Sequence, residues 1–324
     1  MKILLWKIGA LGDVLMTTPL VRQLRKAVPE SSIEYLTGHA SRAVVEGNPH
    51  LDRVVSFDER ILFRAQVGRL AELLQLLRGY DAVLILDKHW IFEVLAWIAR
   101  VPVRVGFMRR RREGLLHTHP VPYGPLRHEI HCYLDLAAAW GLPIDFEDVR
   151  LELPSATDYG LSQPYTVLVN SGGSNAGETS EVRKMPEKLF AALTKHCSAL
   201  GPVAFLGSAG ERDYYERYRC ENSINLCGQT TLTEAWSVLR KARAIYATDS
   251  GLMHMGAAVN PHLTAIFGPT HPARKCPPST QWAWVDSMRY DSRYEVYGMV
   301  PKESYFLGME LGDILDRAQP SLLT

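Results

Sequence analysis

Apolar runs alternate with amphipathic segments along the first half of the chain. Short apolar stretches are typical of buried strands, and between them apolar positions return every three or four residues, as in Leu70, Leu73, Leu74 and Leu77. The strand-like segments are 3–8, 33–36, 53–56, 82–86 and 103–107, and the helix-like segments are 14–27, 70–77 and 91–99. This alternation predicts a mostly parallel sheet with helices on both faces.

The same alternation restarts after a stretch with prolines and acids, residues 143–164, which we interpret as a linker. The later strand-like segments are 166–170, 203–206, 244–248 and 263–267, and the helix-like ones are 187–200, 232–241, 252–259 and 307–318. A chain of 324 residues exceeds the usual size of a single core. We therefore predict an α/β protein with two Rossmann-like, doubly wound lobes, residues 1–155 and 156–300. A helical tail, residues 301–324, is expected to pack back on the N-terminal lobe.

Composition narrows the class of protein. The net charge of +1 lacks the basic excess of nucleic-acid-binding proteins. The five cysteines are scattered without a CxxC pair, which is typical of reduced thiols in a cytoplasmic protein. The first apolar run is interrupted by Lys7 and Asp13, so it predicts a buried strand and not a signal peptide. No DxD or HExxH motif is found, and we expect neither a metal nor a cofactor.

A glycine-marked turn, Gly9-x-x-Gly12-Asp13, follows the first predicted strand. Loops beyond the carboxyl ends of parallel strands bind ligands, and the glycines allow a ligand to approach the backbone. Asp13 stands where a helix begins, so it is either an N-cap or a base that accepts a proton from a substrate hydroxyl. The full GxGxxG spacing is missing, which disfavours dinucleotide binding.

Two further loops in the second half carry anion-binding chemistry. Ser171 lies in a small-residue loop that offers backbone N–H groups, and Lys184 precedes a helix start. These residues predict a phosphate site, with a solvated basic pair as the alternative. Ser250 and Gly251 would present N–H groups to a diphosphate at another helix start.

Other candidate residues have equally simple structural interpretations. Asp249 and His254 organise the second loop or contact its ligand, and a histidine on a helix is often only structural. Glu234, in the first turn of a predicted helix, is either a dipole-favoured acid or an acceptor for ribose hydroxyls. Arg104 and the run 109–112 are either a solvated surface or a site for an anionic partner.

These motifs in this order resemble glycosyltransferase family 9, the ADP-heptose:lipopolysaccharide heptosyltransferases. The resemblance spans most of residues 1–275 and is carried by the opening segment 8–29, by 231–234 and by 249–270. It implies a GT-B fold, in which two Rossmann-like lobes face each other across a central cleft. The donor nucleotide would then lie on the C-terminal lobe and the acceptor mainly on the N-terminal lobe.

The resemblance also implies roles for individual residues. Asp13 matches the proposed general base, Lys184 the lysine that neutralises the leaving diphosphate, and Glu234 the ribose contact. The remaining donor-site residues are Ser171, Asp249, Ser250, Gly251, Leu252 and His254, and the acceptor-site residues are Gly12, Arg104, Arg109 and Arg111. The sequence departs from the family pattern at Gly9 and Met185, and by a lengthened loop at 174–182.

The motifs and the family resemblance together predict a metal-independent, inverting glycosyltransferase. The expected donor is ADP-heptose and the expected acceptor an anionic glycan or glycolipid, the lipopolysaccharide inner core, with no nucleic-acid partner. The expected location is cytoplasmic, with peripheral contact at the inner face of the inner membrane left open. The alternatives are a GT-B transferase with another nucleotide sugar or a small-molecule or protein acceptor, a nucleotide-sugar-binding module without activity, and a nicotinamide dehydrogenase.

Overall fold

The chain folds into two compact units, Met1–Pro154 and Ser155–Thr324. The computed structural model describes residues 1–58, 67–110, 112–124, 126–162, 164–172, 180–285, 305–320 and 323. Each unit contains a six-stranded parallel sheet with helices between its strands. The predicted α/β class with two Rossmann-like units is confirmed.

The first unit has the strand order β3-β2-β1-β4-β5-β6. Its strands are β1 (Lys2–Trp6), β2 (Ser32–Gly38), β3 (Arg53–Phe57), β4 (Ala82–Ile85), β5 (Val103–Met108) and β6 (His119–Pro122). Its helices are α1 (Leu11–Leu15), α2 (Thr18–Ala27), α3 (Arg42–Val45), α4 (Val67–Leu77), α5 (Trp90–Ile98) and α6 (Glu129–Ala139). The direction of strand addition reverses between β1 and β4, which is where open α/β sheets bind ligands.

The centre of this sheet is built from continuous apolar runs. Ile3, Leu4, Leu5 and Trp6 of β1 are fully buried, as expected for a parallel strand covered on both faces. Trp6 packs edge-on against Phe92 of α5, with ring centroids 4.9 Å apart. The rigid centre fixes the positions of the loops that leave β1 and β4.

The single helix predicted over 14–27 is two helices, α1 and α2. Pro19 lies in the first turn of α2 and has no N–H to donate to the carbonyl of Leu15. The hydroxyl of Thr18 donates to that carbonyl instead, at 2.8 Å, and the hydroxyl of Thr17 donates to the carbonyl of Val14 at 2.7 Å. The missing donor therefore ends one helix, and the next helix starts at this point.

The second unit repeats the topology of the first. Its strands are β7 (Thr166–Val169), β8 (Val203–Phe205), β9 (Ser223–Asn225), β10 (Ala244–Thr248), β11 (Leu263–Ile266) and β12 (Gln281–Ala283), in the order β12-β11-β10-β7-β8-β9. Its helices are α7 (Glu187–Leu200), α8 (Arg212–Glu216), α9 (Leu232–Lys241), α10 (Gly251–Val259), α11 (Pro272–Lys275) and α12 (Leu311–Leu315). Here the reversal lies between β7 and β10.

The hydrophobic pattern did not predict β6, β9, β12 or α6. The three strands have only three or four residues each and lie at sheet edges, where few positions need to be apolar. Helix α6 begins in a histidine-rich segment, where the ring of His128 accepts a hydrogen bond from the N–H of Ile130 as an N-cap. Short edge strands and capped polar helix starts lack the periodicity on which the prediction depends.

The tail that was expected to pack back on the N-terminal lobe places its described side chains in the core of the second unit. Tyr305, Phe306, Met309 and Ile314 pack there with residues of α7. A Cβ on Gly268 would lie 2.5 Å from the ring of Phe306, so glycine is needed for this contact. Helix α12 is shorter than the predicted helix over 307–318.

Candidate active site

In the first unit, polar groups gather at the reversal point between β1 and β4. Asp13 lies on α1, which follows β1, and Asp87 follows β4. Between them stands Lys7, whose Nζ is 2.5 Å from Oδ1 of Asp87 and 3.7 Å from Oδ2 of Asp13. Lys7 also donates to the carbonyl of Gly9. The predicted base therefore sits beside a buried cation.

Asp87 connects the Lys7 ammonium to the backbone that follows β1. Its Oδ2 accepts a hydrogen bond of 2.6 Å from the N–H of Ile8, while its Oδ1 accepts from Lys7. Burial lowers the pKa of the Lys7 ammonium, but the charges of Asp87 and Asp13 outweigh this effect and leave that pKa above its usual value. Lys7 is therefore a fixed positive charge, and a cation at this distance favours an ionised Asp13.

A second buried pair lies beside the first. Lys88 donates to Glu129, a fully buried acid in the first turn of α6, and its Nζ lies 4.4 Å from the centre of the Tyr123 ring. The hydroxyl of Tyr123 donates to the other carboxylate oxygen of Glu129 at 2.8 Å. This pair connects the loop after β4 to α6 and so supports the edge on which Asp13 stands.

Sequence analysis missed Lys7, Asp87, Lys88 and Glu129 as site residues. Lys7 interrupts an otherwise apolar run, and Asp87 and Lys88 directly follow the apolar run 82–86. A charge that interrupts or ends a buried strand is the signal that would have identified these three residues. Glu129 lies at a helix start and shows no such signal.

The predicted acceptor-site residues lie in different places. Gly12 is buried in α1, next to Asp13. Arg109 follows the carboxyl end of β5, and its Nε is 3.1 Å from Oε2 of Glu113, within the same loop. Glu113 is partly buried, which raises its pKa, but hydrogen bonds and charge from Arg109 outweigh this and lower the pKa overall. Arg111 lies outside the described residues.

Arg104 stands near the opposite end of β5 and is not brought together with Asp13. Its Nε donates to the carbonyl of Leu116 at 2.7 Å and its Nη1 to the carbonyl of Val101 at 2.5 Å. The guanidinium therefore fastens the segment after β5 to the start of that strand. This geometry gives Arg104 a structural role and lends no support to the predicted acceptor contact.

In the second unit, the start of α10 is the candidate anion site. Ser250 is its N-cap with an extended backbone, but its side chain makes no capping hydrogen bond. The buried Oγ of Ser250 has no hydrogen-bond partner within the described part of the chain. The first N–H groups of a helix, here those of Gly251 and Leu252, have no partner within the helix and carry its positive dipole end. Such a helix start can bind a phosphate group.

Asp249 organises the loop that leads into α10. Its Oδ2 accepts a hydrogen bond of 2.6 Å from the hydroxyl of Thr270 and lies 3.8 Å from Nη1 of Arg183. Its Oδ1 lies 3.9 Å from Nε2 of His254, which is buried on α10. The structure thus supports the organising interpretation of Asp249 and His254, and it adds Arg183 to this cluster.

Lys184 lies close to the same edge of the sheet. Its Nζ is 2.8 Å from Oε1 of Glu181 and 4.9 Å from the centre of the Tyr214 ring. The next residue, Met185, is held by Asn170, which accepts from its N–H at 2.7 Å and donates to its carbonyl at 3.2 Å. Asn170, which follows β7, therefore fixes the backbone next to Lys184.

The ends of β7 and β10 are joined at this point. The hydroxyl of Thr248 accepts from the N–H of Ser171 at 2.8 Å and donates to its carbonyl at 2.6 Å. The structure therefore brings Ser171 to the Asp249 loop, as the two predicted motifs required.

Glu234 forms a capping box at the start of α9. Its Oε2 accepts hydrogen bonds of 2.8 Å from both the N–H and the hydroxyl of Thr231. The backbone hydrogen bond from Thr231 is the main reason why the pKa of Glu234 is lowered. This carboxylate therefore caps the helix, and a ribose contact remains a prediction.

The described residues contain no group of three or more histidine, cysteine, aspartate or glutamate side chains placed to hold a metal ion. Within the same part of the chain, no helix is both long and apolar enough to cross a membrane.

Comparison with known proteins agrees with this architecture. The profile of glycosyltransferase family 9 (heptosyltransferase) matches residues 69–295. Lipooligosaccharide heptosyltransferase 2 of Haemophilus ducreyi is 27% identical over 309 residues, which cover 87% of each chain.

Two solved structures share the fold. The ADP-heptose lipopolysaccharide heptosyltransferase II of Escherichia coli has a TM-score of 0.73 at 20% identity and covers 97% of this chain and 96% of its own. An E. coli heptosyltransferase with ADP-2-deoxy-2-fluoro heptose has a TM-score of 0.66 at 19% identity, with 84% and 90% coverage. Both have the GT-B fold, and the predicted fold class is confirmed. Because the family profile matches more than half of this chain, the chain belongs to glycosyltransferase family 9 (heptosyltransferase) and is a glycosyltransferase.

Proposed function

We propose that this protein transfers heptose from ADP-heptose to an anionic acceptor, the lipopolysaccharide inner core, with inversion at the anomeric carbon. The names of its relatives support the sugar, the nucleotide and the acceptor. The observation that carries the mechanism is the position of Asp13, 3.7 Å from the buried ammonium of Lys7 at the carboxyl end of β1. A carboxylate kept ionised at such an edge can accept the proton of an acceptor hydroxyl.

The reaction follows from these groups. The acceptor oxygen attacks the anomeric carbon of the donor, the bond from that carbon to the diphosphate oxygen breaks, and the electron pair leaves with ADP. Asp13 takes the hydroxyl proton as the new bond forms. In the second unit, the α10 start with Ser250, Gly251 and Leu252 would bind the diphosphate, and Lys184 would neutralise its growing charge.

We assign donor binding to the second unit and acceptor binding to the first. In the donor site, Asp249 and His254 shape the α10 loop, Ser171 borders it, and Glu234 is the candidate for the ribose. In the acceptor site, Gly12 lets the acceptor approach Asp13, and Arg109 stands at the same edge of the sheet. The acceptor assignments of Arg104 and Arg111 are predictions from the sequence alone. A glycolipid acceptor also requires peripheral contact with the inner membrane.

The same geometry fits a GT-B transferase with a different nucleotide sugar, so the donor must be tested directly. Calorimetric titration with ADP, UDP, GDP and NAD should show selective binding of ADP, and Lys184→Ala should weaken it. Lys188→Ala, on the neighbouring helix α7, is the matched control and should bind ADP as the unchanged protein does. Preference for UDP or GDP would keep the reaction type but exclude heptose from ADP-heptose.

Asp13→Asn tests the base. We expect the rate of ADP release in the presence of acceptor to fall by about 10²–10⁴-fold, with ADP affinity unchanged. Normal turnover by this variant would exclude Asp13 as the base while leaving the donor assignment intact.

A further inference from the structure

Helix α5 is apolar on every side although one of its faces is exposed. Of its nine residues, only Glu93 is charged, and Glu93 is buried with Phe92, Leu95 and Ala96. A helix on the surface of a globular protein normally carries polar residues on its outward face. The outward residues of α5 therefore need an explanation other than contact with water.

The outward residues form a continuous stripe. Trp90, Val94 and Trp97 are spaced at i, i+4 and i+7, and Ile91 and Ile98 flank them. Trp90 is 55% exposed, Trp97 53% and Ile98 42%. We call these five residues the α5 face. Val94 and Ile91 are partly buried, and Ile91 also packs against the core, so the exposed part of the face is Trp90, Trp97 and Ile98. Exposed apolar side chains that lie together in this way are typical of an interaction site.

Basic side chains lie beyond both ends of the α5 face. Arg100 is exposed just beyond the helix, and Arg110 and Arg112 are exposed in the loop that follows β5. That loop lies against the start of α5, because Trp90 and Glu113 line the same small cavity. The loop also exposes an apolar side chain, Leu115. Since the whole chain has a net charge of only +1, this basic rim is a local feature.

We propose that the α5 face and its basic rim bind the surface of an anionic membrane. Tryptophan side chains favour the boundary between lipid chains and headgroups, and arginine side chains pair with anionic headgroups. An apolar strip with a basic rim matches that boundary in both respects.

The location of the surface relates it to catalysis. Helix α5 begins with an N-cap from His89, two residues after Asp87, at the edge of the sheet that carries Asp13. A membrane bound to the α5 face would lie close to this edge, where a glycolipid headgroup could reach the base. This proposal rests on the proposed function, because it identifies the surface from which the acceptor comes.

Vesicle sedimentation tests the surface without any catalytic readout. The probes are vesicles of phosphatidylethanolamine with phosphatidylglycerol, compared with vesicles of phosphatidylcholine alone. We expect the full chain to sediment with the anionic vesicles, and Trp90→Ser/Trp97→Ser to lower that partition by about tenfold or more. Arg110→Ser/Arg112→Ser should lower it by about tenfold and reduce its dependence on salt.

The matched control removes exposed apolar side chains elsewhere. Leu200→Ser/Ile224→Ser lies in the second unit, at two exposed positions, and should sediment as the unchanged protein does. In the unchanged protein, brominated phosphatidylglycerol should quench tryptophan fluorescence, because Trp90 and Trp97 are the two tryptophans more than half exposed in the described ranges. This measurement does not depend on the folding of any variant.

Two results would overturn the proposal. One is equal vesicle binding by Trp90→Ser/Trp97→Ser and by the unchanged protein. The other is an oligomer of the unchanged protein in solution that is dissociated by these substitutions, which would assign the α5 face to contact with a second copy of the chain. Transfer to a deacylated, water-soluble acceptor is measured separately. Its absence in the unchanged protein would refute the proposed function, whereas normal transfer without vesicle binding would refute only the membrane surface.

Discussion

Replacement of Lys7 by methionine removes the cation between Asp13 and Asp87 while filling nearly the same buried space. Asp87 then loses its partner at 2.5 Å in a largely buried position. Loss of one member of a buried ion pair costs about 3–5 kcal/mol in the free energy of unfolding, because the other charge stays behind. We therefore expect a clear fall in the urea midpoint of Lys7→Met.

The effect on catalysis arises from the second neighbour of Lys7. At 3.7 Å, attraction between the ammonium and the Asp13 carboxylate is about 4 kcal/mol at an effective dielectric constant of 20. The Asp13 side chain is 24% exposed, so solvent screening reduces this to about 1–2 kcal/mol. The same attraction holds the Asp13 carboxylate in position, and we expect the loss of this positioning to lower kcat/KM near pH 7 by about tenfold. The acid limb of the pH–rate profile should also move to higher pH, because Asp13 loses the charge that favours its ionised form.

The double variant Lys7→Met/Asp87→Asn separates the two effects. It removes the unpaired charge, so most of the stability should return, whereas the rate should not, because Asp13 still lacks the ammonium that positions it. Lys7→Arg keeps the charge and should keep the acid limb. The assays are urea denaturation and initial rates of ADP release with acceptor from pH 5 to 9. An acid limb that stays in place in Lys7→Met would refute the role assigned to Lys7.

Three further predictions concern stability and positioning. Burial and, to a smaller extent, Arg104 lower the pKa of His117 to about 4. In the unfolded chain this histidine binds a proton near pH 6.5, so its contribution to the free energy of unfolding is complete above that pH and falls by about 2 kcal/mol between pH 8 and 5. Urea titrations of His117→Gln should lack this pH dependence. A Cβ on Gly106 would lie 2.4 Å from the His117 ring, so Gly106→Ala should lower the free energy of unfolding by about 1–3 kcal/mol. If Gly106→Ala lowered it equally in a His117→Ala background, this clash would be excluded as the cause. Asn170→Ala should weaken ADP binding several-fold by releasing Met185 beside Lys184, and unchanged calorimetric affinity would contradict that positioning role.

Local sequence patterns determined most of the elements and the two ligand-binding edges. The helices over 187–200 and 232–241 have the predicted bounds because their apolar periodicity is strong and their ends carry caps or turn signals. The motifs at Asp13 and Asp249 could be assigned to loops after strands because apolar runs directly precede them. Patterns of this kind depend only on residues close together in the chain.

The tertiary structure alone decided which of these loops meet. Lys7 and Asp87 are 80 residues apart, and Thr248 and Ser171 are 77 apart; each pair meets because β1 lies next to β4 and β7 lies next to β10. Apolar strands of similar composition can pair in several orders, so hydrophobic periodicity does not specify their neighbours. The same limit applies to Arg104, whose charge suggested an anionic ligand in the sequence. Only the fold places backbone carbonyls within reach of its guanidinium, and these contacts give it a structural role, while the acceptor contact stays a prediction.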